Sequence, residues 1–463
     1  MSRWLLALAA LAVVVQPGQP RAWEAATTHA GLAERAALAS RLHSRIENDL
    51  GVSGGLFSRL VVPPADAPSL LKLLRKFNPT HGYVPDTRGR QLALSWLAAG
   101  AALANSPTRF AGNHFLDPDT KKGLDRHTID TFGERSRHYL GHKSSGERMV
   151  DRGKPAHLWI EDKANPLGHS GFVDQYHRAA SARTAGERDR HLAGALIAAG
   201  AILHVVQDMA SPSHVHIDLR AHLDELGKSS TDVGSRLERI AALAFGRLGV
   251  PAATKVVRKD RLAEFFVAAD GSGLAQRVAA RFYSRYTVPT VPRLPRGAGA
   301  LEAAVAVRKA LGRSDLKIQP ANRGYRVVDP TGTCVVLFDI SARDVNFYLD
   351  DPCVLQQLRT LLPLAAGYGA GVLDYLFRGQ IEVKLDPTLS LSPAVELGDG
   401  ELTLYWDDPT GVRTKFHSAK VRGKLPGTLP KPPSGAAMLI ALYKRSDKLG
   451  EPLVAVGSAV PPE

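Results

Sequence analysis

The residues best equipped for chemistry lie in HLAGALIAAGAILHVVQDMASPSH, residues 191–214, where an apolar run is broken by His204, Asp208 and His214. His204 and Asp208 are four apart, so on a helix they project from one face. Burying an imidazole and a carboxylate among Ala, Ile, Leu and Val is costly unless something satisfies both. A divalent cation does so, and neutral imidazole with carboxylate suits zinc. Pro212 ends or bends the helix and lets His214 return toward the same point. The plainer alternative is an Asp–His pair that holds two packed helices together.

Elements elsewhere must position these groups, and the chain start bears on where they work. Arg3 precedes WLLALAALAVVV, and a short polar stretch ends in Pro20-Arg21-Ala22 before Trp23. A charged start, an apolar core and a small residue at the cut describe a secretory signal peptide over residues 1–22. Its apolar core falls short of the ~20 residues that span a bilayer. The 191–209 run carries His, Asp and Gln, which fits a core helix. A secreted or periplasmic location follows as the expectation. Cys334 and Cys353 are the only cysteines and can pair in an oxidising compartment, without making a disulfide scaffold.

The 463 residues suffice for two or three domains, and 44% hydrophobic content can bury a sizeable core. A formal charge of +14 favours anionic partners: phospholipid headgroups, nucleic acid or an acidic envelope. Residues 23–286 read as mainly helical. Helical periodicity runs over 26–50, 90–105, 173–209 and 234–248, with the third split at ERDRH. Residues 287–350 read as a Pro/Gly-rich linker and a β-rich insertion, with a hairpin turning at Asp329–Gly332. Residues 351–378 return to helix. From 379 to 463 short alternating strands, IEVKLD, GELTLYWD, AAMLIALYK and EPLVAVGS, form a small C-terminal β domain.

Taken in order, these motifs resemble the secreted zinc-dependent phospholipase C and S1/P1 nuclease superfamily, its bacterial phospholipase branch best. Trp23 followed by THAGL with His29, then NHFLDPDT with His114, then the His204/Asp208/His214 series, match that family's ordered elements. GLAQRVAARFYS and PLAAGYGAGVLDYLFRG resemble helices of bacterial relatives. The resemblance covers about residues 23–285 and 351–378 and implies a mainly α fold, a multi-helix phospholipase C-like domain followed by a small C-terminal β domain. It implies two to three zinc ions. The Trp23 amine and carbonyl with His29 would hold one; His114, His204 and a bridging Asp208 a second; His214 and Glu238 a third. It further implies phosphodiester hydrolysis by activated water, a phospholipid or membrane-surface partner, and a monomer.

Two positions depart from the family pattern. A His expected four residues before Glu238 is Gly234, for which His216, Asp218 or His222 are substitutes. An acidic residue expected shortly before the His114 element is Asn105, which leaves Asp86 as the candidate base. A chain with these departures is expected to have a weak or empty third site and reduced or lost catalysis. A single-strand-specific nuclease, which the basic charge also suits, and a zinc-stabilised, non-catalytic envelope- or membrane-binding protein are the alternatives. His127, His138, His142, His157, His169 and His177 read as solvated loop histidines. Asp117 and Asp119 read as turn caps, and Trp96 and Trp159 as core.

Overall fold

A computed structural model describes residues 25–61, 90–104, 108–125, 153–219, 221, 236–246, 249–253, 255–385, 388–446 and 451–461. The helical part is built around α1 (Ala30–Ala39), α2 (Ala93–Leu103), α3 (His169–Ser181) and α4 (Ala185–Asp208). α4 is the spine. From Leu192 to its end every residue except Gly194 is buried. It is long and apolar enough to cross a membrane, but it lies inside the fold as a core helix. The chain break before it falls at Ala182–Thr184, not at the charged ERDRH segment. Thr184 and Glu187 form a reciprocal capping box, and such a cap decides a helix start more strongly than charge does. ERDRH is the first, partly exposed stretch of α4 itself.

α2 and α4 carry the same string, AAGA, at 98–101 and 198–201. The reason is contact distance. A Cβ on Gly100 would lie 2.1 Å from the Ile197 carbonyl oxygen, and one on Gly200 would lie 2.0 Å from that of Leu97. The two backbones therefore approach as closely as only glycine permits. That approach sets the candidate site.

Short elements follow: α5 (Pro212–Val215), α6 (Arg236–Ala244) and α7 (Leu274–Ala279). Next, α8 (Ala300–Ala310) packs Ala303 and Val307 on a four-stranded antiparallel sheet of β1 (Lys317–Pro320), β2 (Tyr325–Val328), β3 (Cys334–Ser341) and β4 (Asp344–Tyr348), in that order. Asp329 makes the β2–β3 turn by accepting from the Thr331 and Thr333 amides. The Pro-rich stretch before α8 is anchored: Val291 and Leu294 are buried, and the Leu294 amide donates to the Arg343 carbonyl. A disulfide joins Cys334 of β3 to Cys353 of α9 (Asp351–Leu376), which Asp350 caps at the Cys353 amide. α9 returns into the helical core beside α1 and α4.

The C-terminal sheet has six strands in the order β8-β7-β9-β10-β5-β6. These are β5 (Gly379–Leu385), β6 (Leu389–Pro393), β7 (Asp399–Asp407), β8 (Arg413–Arg422), β9 (Met438–Arg445) and β10 (Val454–Ala459). β10 pairs parallel with β5, and the other neighbours pair antiparallel. Along β9 the side chains alternate: Ile440 and Leu442 enter the helical core, while Ala441 and Tyr443 enter a separate core on the other face. The molecule is thus a helical unit followed by a β unit. β6, β8 and α8 are additions to what the sequence pattern announced. β8 is mostly exposed and basic, so it carries no hydrophobic alternation to read.

Candidate metal centre

Two segments far apart in sequence meet at the end of α4. His29 closes the helical turn Ala25–His29 that leads into α1, while His204 and Asp208 lie one turn apart at the end of α4. All three are fully buried. They can each offer one ligand atom, and those atoms lie within 4.8 Å of one another. The two imidazoles stack with ring centroids 3.5 Å apart.

Hydrogen bonds fix both tautomers. His29 Nδ1 is 2.7 Å from Gln207 Oε1, and His204 Nδ1 is 2.6 Å from the Ala101 carbonyl oxygen. An amide or peptide oxygen can only accept, so each Nδ1 carries the proton. In the neutral ring that leaves Nε2 as the lone pair, and each Nε2 stands 3.3 Å from an Asp208 carboxylate oxygen. His29 Nε2 and Asp208 Oδ1 make no hydrogen bond among the described residues. Lone pairs facing lone pairs repel in a dry interior, and a shared cation reverses the sign. Two ligands of one tetrahedral zinc, with bonds of ~2.0–2.2 Å, stand about 3.4 Å apart. The donor set therefore fits a zinc ion, with Gln207 and the Ala101 carbonyl orienting the ligand imidazoles.

Electrostatics agree. Burial, reinforced by the neighbouring His204, pushes His29 down to about 4 against the opposing pull of Asp208, so its imidazole is neutral at neutral pH. Burial alone would raise Asp208. The His204, His214 and His29 rings around it, which favour its anion, and the hydrogen bond from His114 outweigh that and hold the carboxyl well below its usual range. A neutral imidazole and an ionised carboxylate are the protonation states a metal needs.

His114 ends the 3₁₀ stretch Thr108–His114 and places Nδ1 2.8 Å from Asp208 Oδ2. The tight set thus joins His29, rather than His114, to His204 and Asp208, with His114 bonded to the carboxylate at its edge. Phe115 stacks on the His214 ring at 4.7 Å, and the Leu116 amide donates to the His214 carbonyl at 3.1 Å, which locks the two segments together. His214, on α5, has Nδ1 3.6 Å from Glu238 Oε1, and Ser211 Oγ donates to the same oxygen at 2.9 Å. His214 and Glu238 are 1% and 2% exposed, so a second buried imidazole–carboxylate pair adjoins the first.

Trp23, Asp86, Asn105, His222 and Gly234 lie outside the described residues. His216 and Asp218 serve another purpose. His216 Nε2 is 2.9 Å from the Phe282 carbonyl, and Asp218 accepts from Ser284 Oγ and the Tyr286 amide, tethering the chain after α7. Asp117 caps its turn through the Asp119 and Thr120 amides. Trp96 and Trp159 are core residues. His157 lies half-buried in the helical turn Ala156–Trp159, His169 is buried on α3 and His177 lies on the same helix, so none of these is a loop histidine, while His127, His138 and His142 lie outside the described residues. Sequence reasoning missed Gln207, the Ala101 carbonyl and Ser211. The available signal was a buried amide, Gln207, beside a buried carboxylate. Ser211 and Ser213 also line a cavity of about 250 Å³ walled by Tyr283, Phe347, Tyr348 and Leu349.

No family model and no curated protein matches the chain. Among solved structures, it aligns with an alpha toxin from Clostridium absonum at 11% identity and TM-score 0.29, over 94% of this chain and 98% of that one. It aligns with an alpha-toxin of Clostridium perfringens from avian strain SWCP at 12% identity and TM-score 0.25, over 96% and 94%. Overlaps this loose carry no argument about the site.

Proposed function

We propose that this protein is a secreted zinc-dependent phosphodiesterase of phospholipase C type that hydrolyses phospholipid headgroups. The observation that carries the reading is the buried His29–His204–Asp208 cluster, in which two imidazoles with fixed tautomers aim lone pairs at one ionised carboxylate. His29, His204 and Asp208 would hold one ion, His114 would orient or extend that set, and His214 with Glu238 would hold another. The Trp23 amine remains part of the proposal as a further ligand, and Asp86 as candidate base. Zinc bound there would supply Lewis acidity toward a phosphoryl oxygen and a hydrolytic water active near neutral pH. The chain's own part is to orient each imidazole through its Nδ1 partner and to shield the ligands from bulk solvent. The cavity beside Ser211 and Ser213 can receive a non-reacting part of the substrate. The +14 charge suits an anionic surface.

One observation favours a second reading, a zinc-stabilised binding protein. The three clustered ligands are wholly buried, as in a structural site. The experiment is to load the mature protein with zinc and assay it on phosphatidylcholine vesicles and on single-stranded DNA, with and without chelator. Asp208→Asn should lower vesicle hydrolysis by about a hundredfold or more, since it removes the carboxylate that would hold the ion with His29 and His204. Hydrolysis of DNA alone would transfer the protein to the nuclease class. A folded, zinc-loaded protein inert toward both substrates would leave the binding protein.

A further inference from the structure

Away from the metal centre, α7 and α9 enclose a second cleft of about 510 Å³. Arg277 and Arg281 are four residues apart at α7 and the turn after it, so they share a side. Arg359 lies on α9, one turn before Pro363, which also lines the cleft. Gln276 and Thr360 complete its polar lining. No carboxylate is among the described residues that line it.

A buried carboxylate holds one of the guanidiniums in place. Arg281 pairs with Asp329, a carboxylate only 1% exposed and already bonded to Thr331 and Thr333. Arg277 lies near the Tyr368 hydroxyl and acts on it electrostatically. Among the described residues, Arg277 and Arg359 have no ion-pair partner. Three guanidiniums against one carboxylate leave an excess of two positive charges around a recess. A planar, bidentate donor is the group that best matches phosphate oxygens. The recess is roomier than a bare oxyanion requires, so the phosphate would arrive on a larger molecule.

We propose that this cleft binds a phosphate group through Arg277, Arg281 and Arg359, separately from the metal centre. The group comes either from an anionic lipid headgroup or from a soluble phosphate compound. The reading does not depend on the phosphodiesterase proposal.

The test uses the zinc-loaded mature chain and a variant with Arg277→Gln and Arg359→Gln, leaving Arg281 to hold Asp329. A matching melting curve shows that the variant is folded. Inorganic phosphate is titrated by calorimetry. Co-sedimentation then compares phosphatidylcholine vesicles with and without phosphatidylglycerol at about 0.1 M salt, where charges are screened beyond ~10 Å. Phosphate affinity should fall about tenfold or more in the variant, and Arg359→Lys should fall between, because lysine loses the bidentate geometry. If phosphatidylglycerol vesicles bind only the natural chain and phosphate displaces them, the source is lipid. If phosphate binding falls while vesicle binding is equal in both, the source is soluble. The proposal is overturned if the folded double variant binds phosphate as the natural chain does, or if the natural chain binds neither probe.

Discussion

His204 and Asp208 were legible because helical spacing and an apolar setting are both written in the sequence, and a buried carboxylate needs a partner. What joined them was less so. His29 is distant in sequence, and only the family resemblance pointed to it. The Ala101 carbonyl was invisible, and Gln207 left only the hint of a buried amide, because an imidazole's hydrogen-bond partner depends on how separate helices pack. His169 shows the opposite failure: its polar sequence neighbours suggested solvent, but it is 4% exposed. That burial, together with the Arg378 charge, lowers it to about 4. An unfolded His titrates near ~6.5, so between those values the unfolded chain binds more protons than the folded one. The contribution is fully present above about pH 6.5 and is lost as pH falls toward 4. Replacing His169 with Phe should therefore spare about 2–3 kcal/mol of the stability lost between pH 7.5 and 4.5. Urea melts at the two pH values check this. Equal losses in the variant and the natural chain would remove His169 from the acid response.

At the scale of elements, the long apolar helices were readable and the polar ones were not. α4 and α9 announce themselves by period and length. β8 hid because both of its faces are largely exposed, and α8 because its buried residues are mostly small alanines. The α2–α4 crossing carries the strongest mechanical claim. With a Cβ expected 2.1 Å from the Ile197 carbonyl, Gly100→Ala must push the helices apart. Such overpacking costs about 1–3 kcal/mol. It also draws the Ala101 carbonyl off His204, and losing an orienting partner weakens metal binding by roughly 10- to 100-fold. Gly186→Ala, on the first turn of α4 with nothing within 4 Å, is the matched control and should be neutral or mildly stabilising. Thermal melts and zinc titrations of the two variants decide it. Equal behaviour would mean that the close crossing does not position the site.

Across the whole molecule, the sequence disclosed a helical unit followed by a β unit, because the hydrophobic period changes from helical to alternating near residue 379. It did not disclose how the units join. β9 feeds one face into the helical core and the other into a core of its own, a property of the sheet's place rather than of its pattern. The metal reading is likewise a claim about the whole fold, since His29, His114 and His204 with Asp208 come from three separate parts of the helical unit. An ion bound only by the native state adds stability by mass action. The most direct measurement is therefore the zinc content of the purified protein, by elemental mass spectrometry, together with its melting curve before and after chelation. The account predicts at least one zinc per chain, a melting temperature that falls on chelation and recovers with added zinc, and loss of that ion in Asp208→Asn. A folded chain that holds no metal, takes up none, and melts at the same temperature with chelator or with zinc would contradict it.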